Sequence, residues 1–229
     1  MVRIMQMFAD GRSRKVVFLA HCLLNQNAIS DGTAVYPAAF RELVQFFLEH
    51  QVGIVQLPCP ELCCLGLDRG NRLGAQSPVT EENTRIRAAM QAPAPSRMLE
   101  DLVESVMHQV LEYHRYGFRI VAFLGANRSP NCGVETTSDH NQEMPGRGLF
   151  LGALEDRIRA AGLEIPLLGV KASDDLLNFL RGFAPFFSLY LPHIKRPLLR
   201  NLAVKGGVLS WRNGENRCWP PAFWRGPSR

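Results

Sequence analysis

Residues 15–25, KVVFLAHCLLN, decide how the chain is parsed. The first six form a short apolar run rich in β-branched residues, the mark of a strand buried on both faces. Cys22 stands two residues beyond it. The arrangement recurs twice: residues 53–57 (GIVQL) are followed by Cys59, and residues 119–125 (RIVAFLG) by a loop carrying Cys132. Residues 165–170 (IPLLGV) read as a fourth strand.

Helices are expected between the strands. Over residues 37–50, Phe40, Leu43, Val44, Phe47 and Leu48 recur at helical spacing, with Pro37 near the start and Gly53 after the end. Residues 96–116 form an amphipathic helix through Leu99, Val103, Val106, Val110 and Leu111, stopped by Gly117. A third helix spans about 148–161 and stops at Gly162, and Ser173 caps a last one. Residues 58–95, rich in Gly, Pro, Asn and charge, read as a long irregular stretch. Strand and helix in alternation predict an α/β fold, an open and mostly parallel sheet with helices on both faces, a Rossmann-like three-layer sandwich.

The 229 residues carry 26 Lys+Arg against 21 Asp+Glu, but the charge is unevenly placed. Residues 1–181 hold 18 basic and 20 acidic side chains; residues 182–229 hold 8 basic ones and a single acid, Glu215, with all three tryptophans. The chain therefore divides into a near-neutral body, 1–181, and a basic Trp/Pro-rich extension, 182–229, expected to be poorly ordered. A basic pI that comes from the extension alone does not imply nucleic-acid binding. No apolar run approaches the roughly 20 residues that span a bilayer. The run before Cys22 is too short for a lipoprotein signal, so a reducing cytoplasm is expected. In that setting six cysteines are ligands, nucleophiles or core residues rather than disulfides.

In an open parallel sheet the C-terminal strand ends share the edge where ligands bind. Cys22, Cys59 and Cys132 all fall just past such ends, in segments loaded with Pro, Gly and Asn. Strands lie about 5 Å apart, so the three thiols can meet around one object several ångströms across. No C-x2-C pair is present and no His stands at a usual zinc spacing beside them. Three thiolates from distant segments suit an iron–sulfur cluster, and on a four-iron cube they leave one iron open. Cys63 and Cys64, four and five positions after Cys59, could supply a fourth ligand or simply pack.

His21-Cys22-Leu23-Leu24-Asn25, Asp31-Gly32, Pro58-Cys59-Pro60-Glu61 and Ser129-Pro130-Asn131-Cys132-Gly133 resemble, in order, the motifs of the 2-thiouracil desulfidase family. The resemblance spans roughly residues 15–181. His21, Asn25 and the segment from Leu62 to Arg69 depart from the family pattern, which places the chain on a related side branch rather than with the characterised enzyme. The resemblance implies a [4Fe-4S] cluster on Cys22, Cys59 and Cys132, with one iron open to substrate. It also implies desulfuration of a small thiolated compound, such as a thiopyrimidine, without net redox change. Glu61 would be the acid/base, its ionisation disfavoured beside an anionic cluster.

Ser129 and Asp31 are further catalytic candidates, and Asn25, Arg69 and Asn127 candidate substrate contacts. His21 would point away from the site if the chain stays extended there. Partners implied are the small substrate and iron–sulfur assembly machinery. The competing readings are a metal-free enzyme with Cys132 or Cys59 as nucleophile, and a non-catalytic cluster carrier or redox sensor.

Overall fold

A computed structural model describes residues 8–171 and the backbone of two strands, Leu202–Lys205 and Val208–Trp211. Four parallel strands form the central sheet: β1 (Lys15–Leu19), β2 (Gly53–Gln56), β3 (Arg119–Ala126) and β6 (Leu167–Val170), in the order β2-β1-β3-β6. The α/β architecture expected from the alternation is present. β1 and β3 occupy the centre, and Val17, Phe18, Leu19, Val121, Ala122, Phe123 and Leu124 are fully buried. That explains their unbroken apolar runs. Phe18 and Phe123 are register partners, their rings stacked at 4.6 Å.

β2 is an edge strand with both ends exposed, not the doubly buried strand its sequence suggested. The run is short, and helix α2 (Arg41–Glu49) covers it through Leu43 and Phe47 on one side. α2 starts four residues later than Pro37 implied.

The largest departure lies in residues 58–95. They contain helix α3 (Pro60–Leu65) and the twelve-residue helix α4 (Val79–Met90). α4 escaped notice because it is polar on most sides; its buried set, Glu82, Asn83, Ile86 and Met90, includes two hydrophilic residues. Helix α5 (Pro93–Arg115) buries Leu99, Val103, Val106 and Val110, as its spacing predicted, but takes Met107 into that face and leaves Leu111 exposed. The loop between β3 and helix α6 (Leu149–Ala160) holds an unforeseen antiparallel hairpin, β4 (Thr136–Asp139) and β5 (Gln142–Pro145), against α4.

The helix expected after Ser173 lies outside the described residues. Within the extension, β7 (Leu202–Lys205) and β8 (Val208–Trp211) pair as an antiparallel ladder. Among the described residues no helix is long and apolar enough to cross a membrane.

The chain passes from β1 to β2 on one side, then returns across β1 to β3 on the other. The crevice at such a reversal is where ligands bind in open α/β sheets.

Candidate functional site

A cavity of about 490 Å³ opens at that reversal, and Cys22, Cys59 and Cys132 all line it. Each thiol is held by a different local device. Cys22 lies in a single helical turn, α1 (His21–Leu24), immediately after β1. The chain is therefore coiled at His21 rather than extended, and His21 also lines the cavity. Cys59 caps α3: its Sγ accepts from the Leu62 N–H at 3.5 Å, and Pro60 presets the first helical residue. Cys132 sits in the turn after β3. Its N–H donates to Ser129 Oγ at 3.0 Å, and its carbonyl accepts from the Ala126 N–H at 2.8 Å. Gly125 is required beneath that turn, because a Cβ there would overlap the Cys132 carbonyl oxygen.

The thiols feel one another. Burial, then Cys59 and Glu61, push Cys22 up to about 12. Burial and Glu61 push Cys59 up to about 11, against opposition from the Leu62 N–H and Arg69. Cys132, 7% exposed, is raised well above the usual thiol range by burial, Cys22 and Cys59, with the Ser129 hydroxyl working the other way. Among the described residues no three His, Cys, Asp or Glu side chains are disposed to hold a single metal ion.

Glu61 is 7% exposed and lines the cavity from the first turn of α3. Three donors reach its carboxylate. Arg69 Nε at 3.3 Å and Ser30 Oγ at 3.2 Å meet Oε2, and Asn131 Nδ2 at 3.1 Å meets Oε1.

Arg69, read from sequence as a substrate contact, is on the cavity wall but fully engaged. Besides Glu61 it donates to the carbonyls of Leu67 and Ala28 and, at 3.7 Å, to Cys59 Sγ. These bonds tie it to the carboxylate and to the thiol.

Asn127 also lines the cavity with its amide committed. Its Oδ1 accepts from the N–H groups of Val134, Glu135 and Thr136, and its Nδ2 donates to Glu135 Oε2 at 2.7 Å. Ser129 accepts from the N–H groups of Asn131 and Cys132, so it shapes the Cys132 turn.

Asn25 and Asp31 are not brought to the cavity. Asn25 caps a short 3-10 turn through the Asn27 N–H, and Asp31 is exposed in a turn with Gly32, whose φ is +74°. Both are short polar residues favoured at turns for local reasons, and those reasons account for them. Cys63 is exposed and Cys64 half-buried against the core; neither lines the cavity.

Sequence reasoning passed over Asn131 and Lys171. Asn131 is completely buried beside Cys132; Lys171 lines the cavity and pairs with Glu143 at 3.0 Å. The signal for Asn131 was its place in the Ser-Pro-Asn-Cys-Gly turn.

No protein-family model matches the chain. The uncharacterized protein MJ0003 of Methanocaldococcus jannaschii is 26% identical over 123 residues, which cover 54% of this chain and 70% of that protein. Among solved structures the chain is similar to a [4Fe-4S]-dependent thiouracil desulfidase, TudS, at 17% identity and a TM-score of 0.40, over 79% of this chain and 99% of that one.

Proposed function

We propose that the chain is an iron–sulfur-dependent desulfidase, which removes sulfur as hydrosulfide from a small thiolated compound such as a thiopyrimidine. One observation carries this reading: three thiols from three strand ends face one cavity beside a buried carboxylate. The donor set fits a cluster. Iron–sulfur clusters take cysteine thiolates, and a polynuclear group needs ligands facing across a space rather than gathered at a point. In the metal-free chain, burial and the neighbouring thiolates disfavour ionisation of all three thiols, and a cationic cluster core would offset both effects.

Cys22, Cys59 and Cys132 would hold the cluster, loaded in the cell by iron–sulfur assembly machinery. Bound there, it supplies a thiophilic, Lewis-acidic iron toward the sulfur of a thiocarbonyl. The balance is simple: one water enters, a C=O bond replaces C=S, and the sulfur leaves with the water's two protons, with no electrons gained or lost. Glu61 takes a proton from the attacking water and returns it to the departing sulfur. General acid–base help of this kind is worth about 10²–10⁴-fold. Arg69, Ser30 and Asn131 hold the carboxylate for that task, while Leu23, Ile29 and Phe40 make part of the wall apolar.

A metal-free nucleophile at Cys59 or Cys132 is disfavoured by the same electrostatics, since burial raises Cys59 to about 11 and Cys132 well above the usual thiol range, which keeps both protonated at neutral pH. A four-thiolate carrier is disfavoured because Cys63 and Cys64 do not line the cavity.

Purification without oxygen tests the reading. The expected protein is brown and contains iron and sulfide, loses both on Cys22→Ala, Cys59→Ala or Cys132→Ala, and releases hydrosulfide from 2-thiouracil or a related thiopyrimidine. Glu61→Gln keeps the iron and lowers turnover by about 10²–10⁴-fold. Colourless, fully active protein rejects the proposal. Brown protein that releases no hydrosulfide from any thiocarbonyl probe leaves the carrier reading in its place.

A further inference from the structure

The Asn131 side chain is completely buried, yet only one of its two amide arms has a hydrogen-bond partner among the described residues. The amide arm that faces Glu61 Oε1 at 3.1 Å must be Nδ2, because a carboxylate oxygen there needs a donor. The other arm, Oδ1, is buried with no hydrogen-bond partner among the described residues. An unsatisfied buried acceptor is destabilising, so what the amide contributes lies in its other arm, the bond to Glu61.

The backbone of Asn131 already secures the turn. Its carbonyl accepts from the N–H groups of Phe150 and Leu151, and its own N–H donates to Ser129 Oγ. None of those bonds involves the amide side chain. The side chain therefore has one contact in which it matters, and that contact bridges 70 residues of sequence to Glu61.

The carboxylate shows why such a contact is needed. Arg69 Nε and Ser30 Oγ both approach Oε2, and among the described residues only Asn131 reaches Oε1. Two donors on one oxygen tether the group but leave it free to turn about its last bond. A third donor on the other oxygen fixes its plane, and that donor comes from the residue next to Cys132.

We propose that Asn131 is a positioning residue for Glu61, locking the plane of its carboxylate to the turn that carries Cys132. The inference rests on the acid/base reading of Glu61, and its test separates the two.

The first readout needs no cluster. In the metal-free protein, infrared bands of the Glu61 carboxylate are identified by their loss in Glu61→Gln. They shift in Asn131→Ala, and also in Asn131→Leu, which keeps much of the volume and removes the donor. In the cluster-loaded protein, Asn131→Ala lowers kcat at least tenfold on 2-thiouracil with KM within twofold and iron content unchanged. Added to Glu61→Gln it costs nothing further, because both changes act through one group. Unshifted carboxylate bands, or an undiminished loss in the Glu61→Gln background, overturn the proposal. Full turnover by Glu61→Gln instead sinks the acid/base role, and the infrared comparison still decides whether Asn131 orients the carboxylate.

Discussion

Arg69 Nε lies 3.3 Å from Glu61 Oε2, and the two side chains are only 2% and 9% exposed. An ion pair this deep is costly to break from one side, because the survivor is left charged in a medium that solvates it poorly. Arg69→Met is expected to lower unfolding free energy by about 3–5 kcal/mol, measured by urea titration. Replacing both partners, Arg69→Met with Glu61→Leu, recovers most of that loss. A single substitution within 1 kcal/mol of wild type contradicts the pairing.

A Cβ on Gly148 would overlap the carbonyl carbon of Asn131 and stand 2.7 Å from the Cys132 nitrogen. Gly148→Ala is therefore expected to destabilise by about 1–3 kcal/mol, the usual cost of overpacking. Gly152, four residues on and inside α6, meets only the Arg147 Cβ at 3.4 Å. Gly152→Ala should instead stabilise by about 0.5–1 kcal/mol through helix propensity. Thermal melts of the two variants move in opposite directions.

In metal-free protein, alkylation by iodoacetamide at pH 8 is expected to label exposed Cys63 before the cavity thiols, with buried Cys132 last. The thiolate is the nucleophile. With Cys22 raised to about 12 from 9.0, its reactive fraction at pH 8 falls by roughly a thousandfold. Raising the pH toward 11 increases labelling at Cys22 about tenfold per unit, which peptide mass spectrometry follows. Fast labelling of Cys22 at pH 8 contradicts this picture.

Glu155 is held below the usual carboxylate range, chiefly by its bond to Arg147 at 2.8 Å and with help from Arg159. Arg147 also donates to the Val134 carbonyl, two residues beyond Cys132, so the pair braces that turn. A carboxyl more acidic in the folded state binds fewer protons than the unfolded chain. Its contribution is whole above the unfolded value, near 4.5, and is lost as pH falls through the lower folded value. Glu155→Gln should lower the urea midpoint at pH 7 and flatten its decline between pH 5 and 3. Parallel curves for the two proteins would exclude the pair as a source of acid sensitivity.

The central strands were legible because doubly buried parallel strands need continuous apolar runs, as in Val16–Leu19 of β1 and in β3. Convergence of the three cysteines was legible for the related reason that every parallel strand end lies on one edge. α4 was not, since half of the residues it buries are hydrophilic and its contacts run to the β4–β5 hairpin, through Asn83 to Ser138 and Arg87 to Asp139. Roles within the site were harder still. Asn127 and Arg69 look like groups awaiting a ligand until the partners supplied by Val134–Thr136, Glu61 and Ala28 are seen. The Asn131–Glu61 bond spans too much chain for any local pattern to announce it.

The order of strands carries a consequence for synthesis. Because β3 enters beside β1 only after β2, α3, α4 and α5 have been made, the three cavity thiols share no common wall until translation has passed Cys132. A nascent chain halted before that point exposes Cys22 and Cys59 on an unfinished sheet. A guest held by all three thiols, such as the cluster proposed above, would therefore find its full set of ligands only after residue 132 has been made.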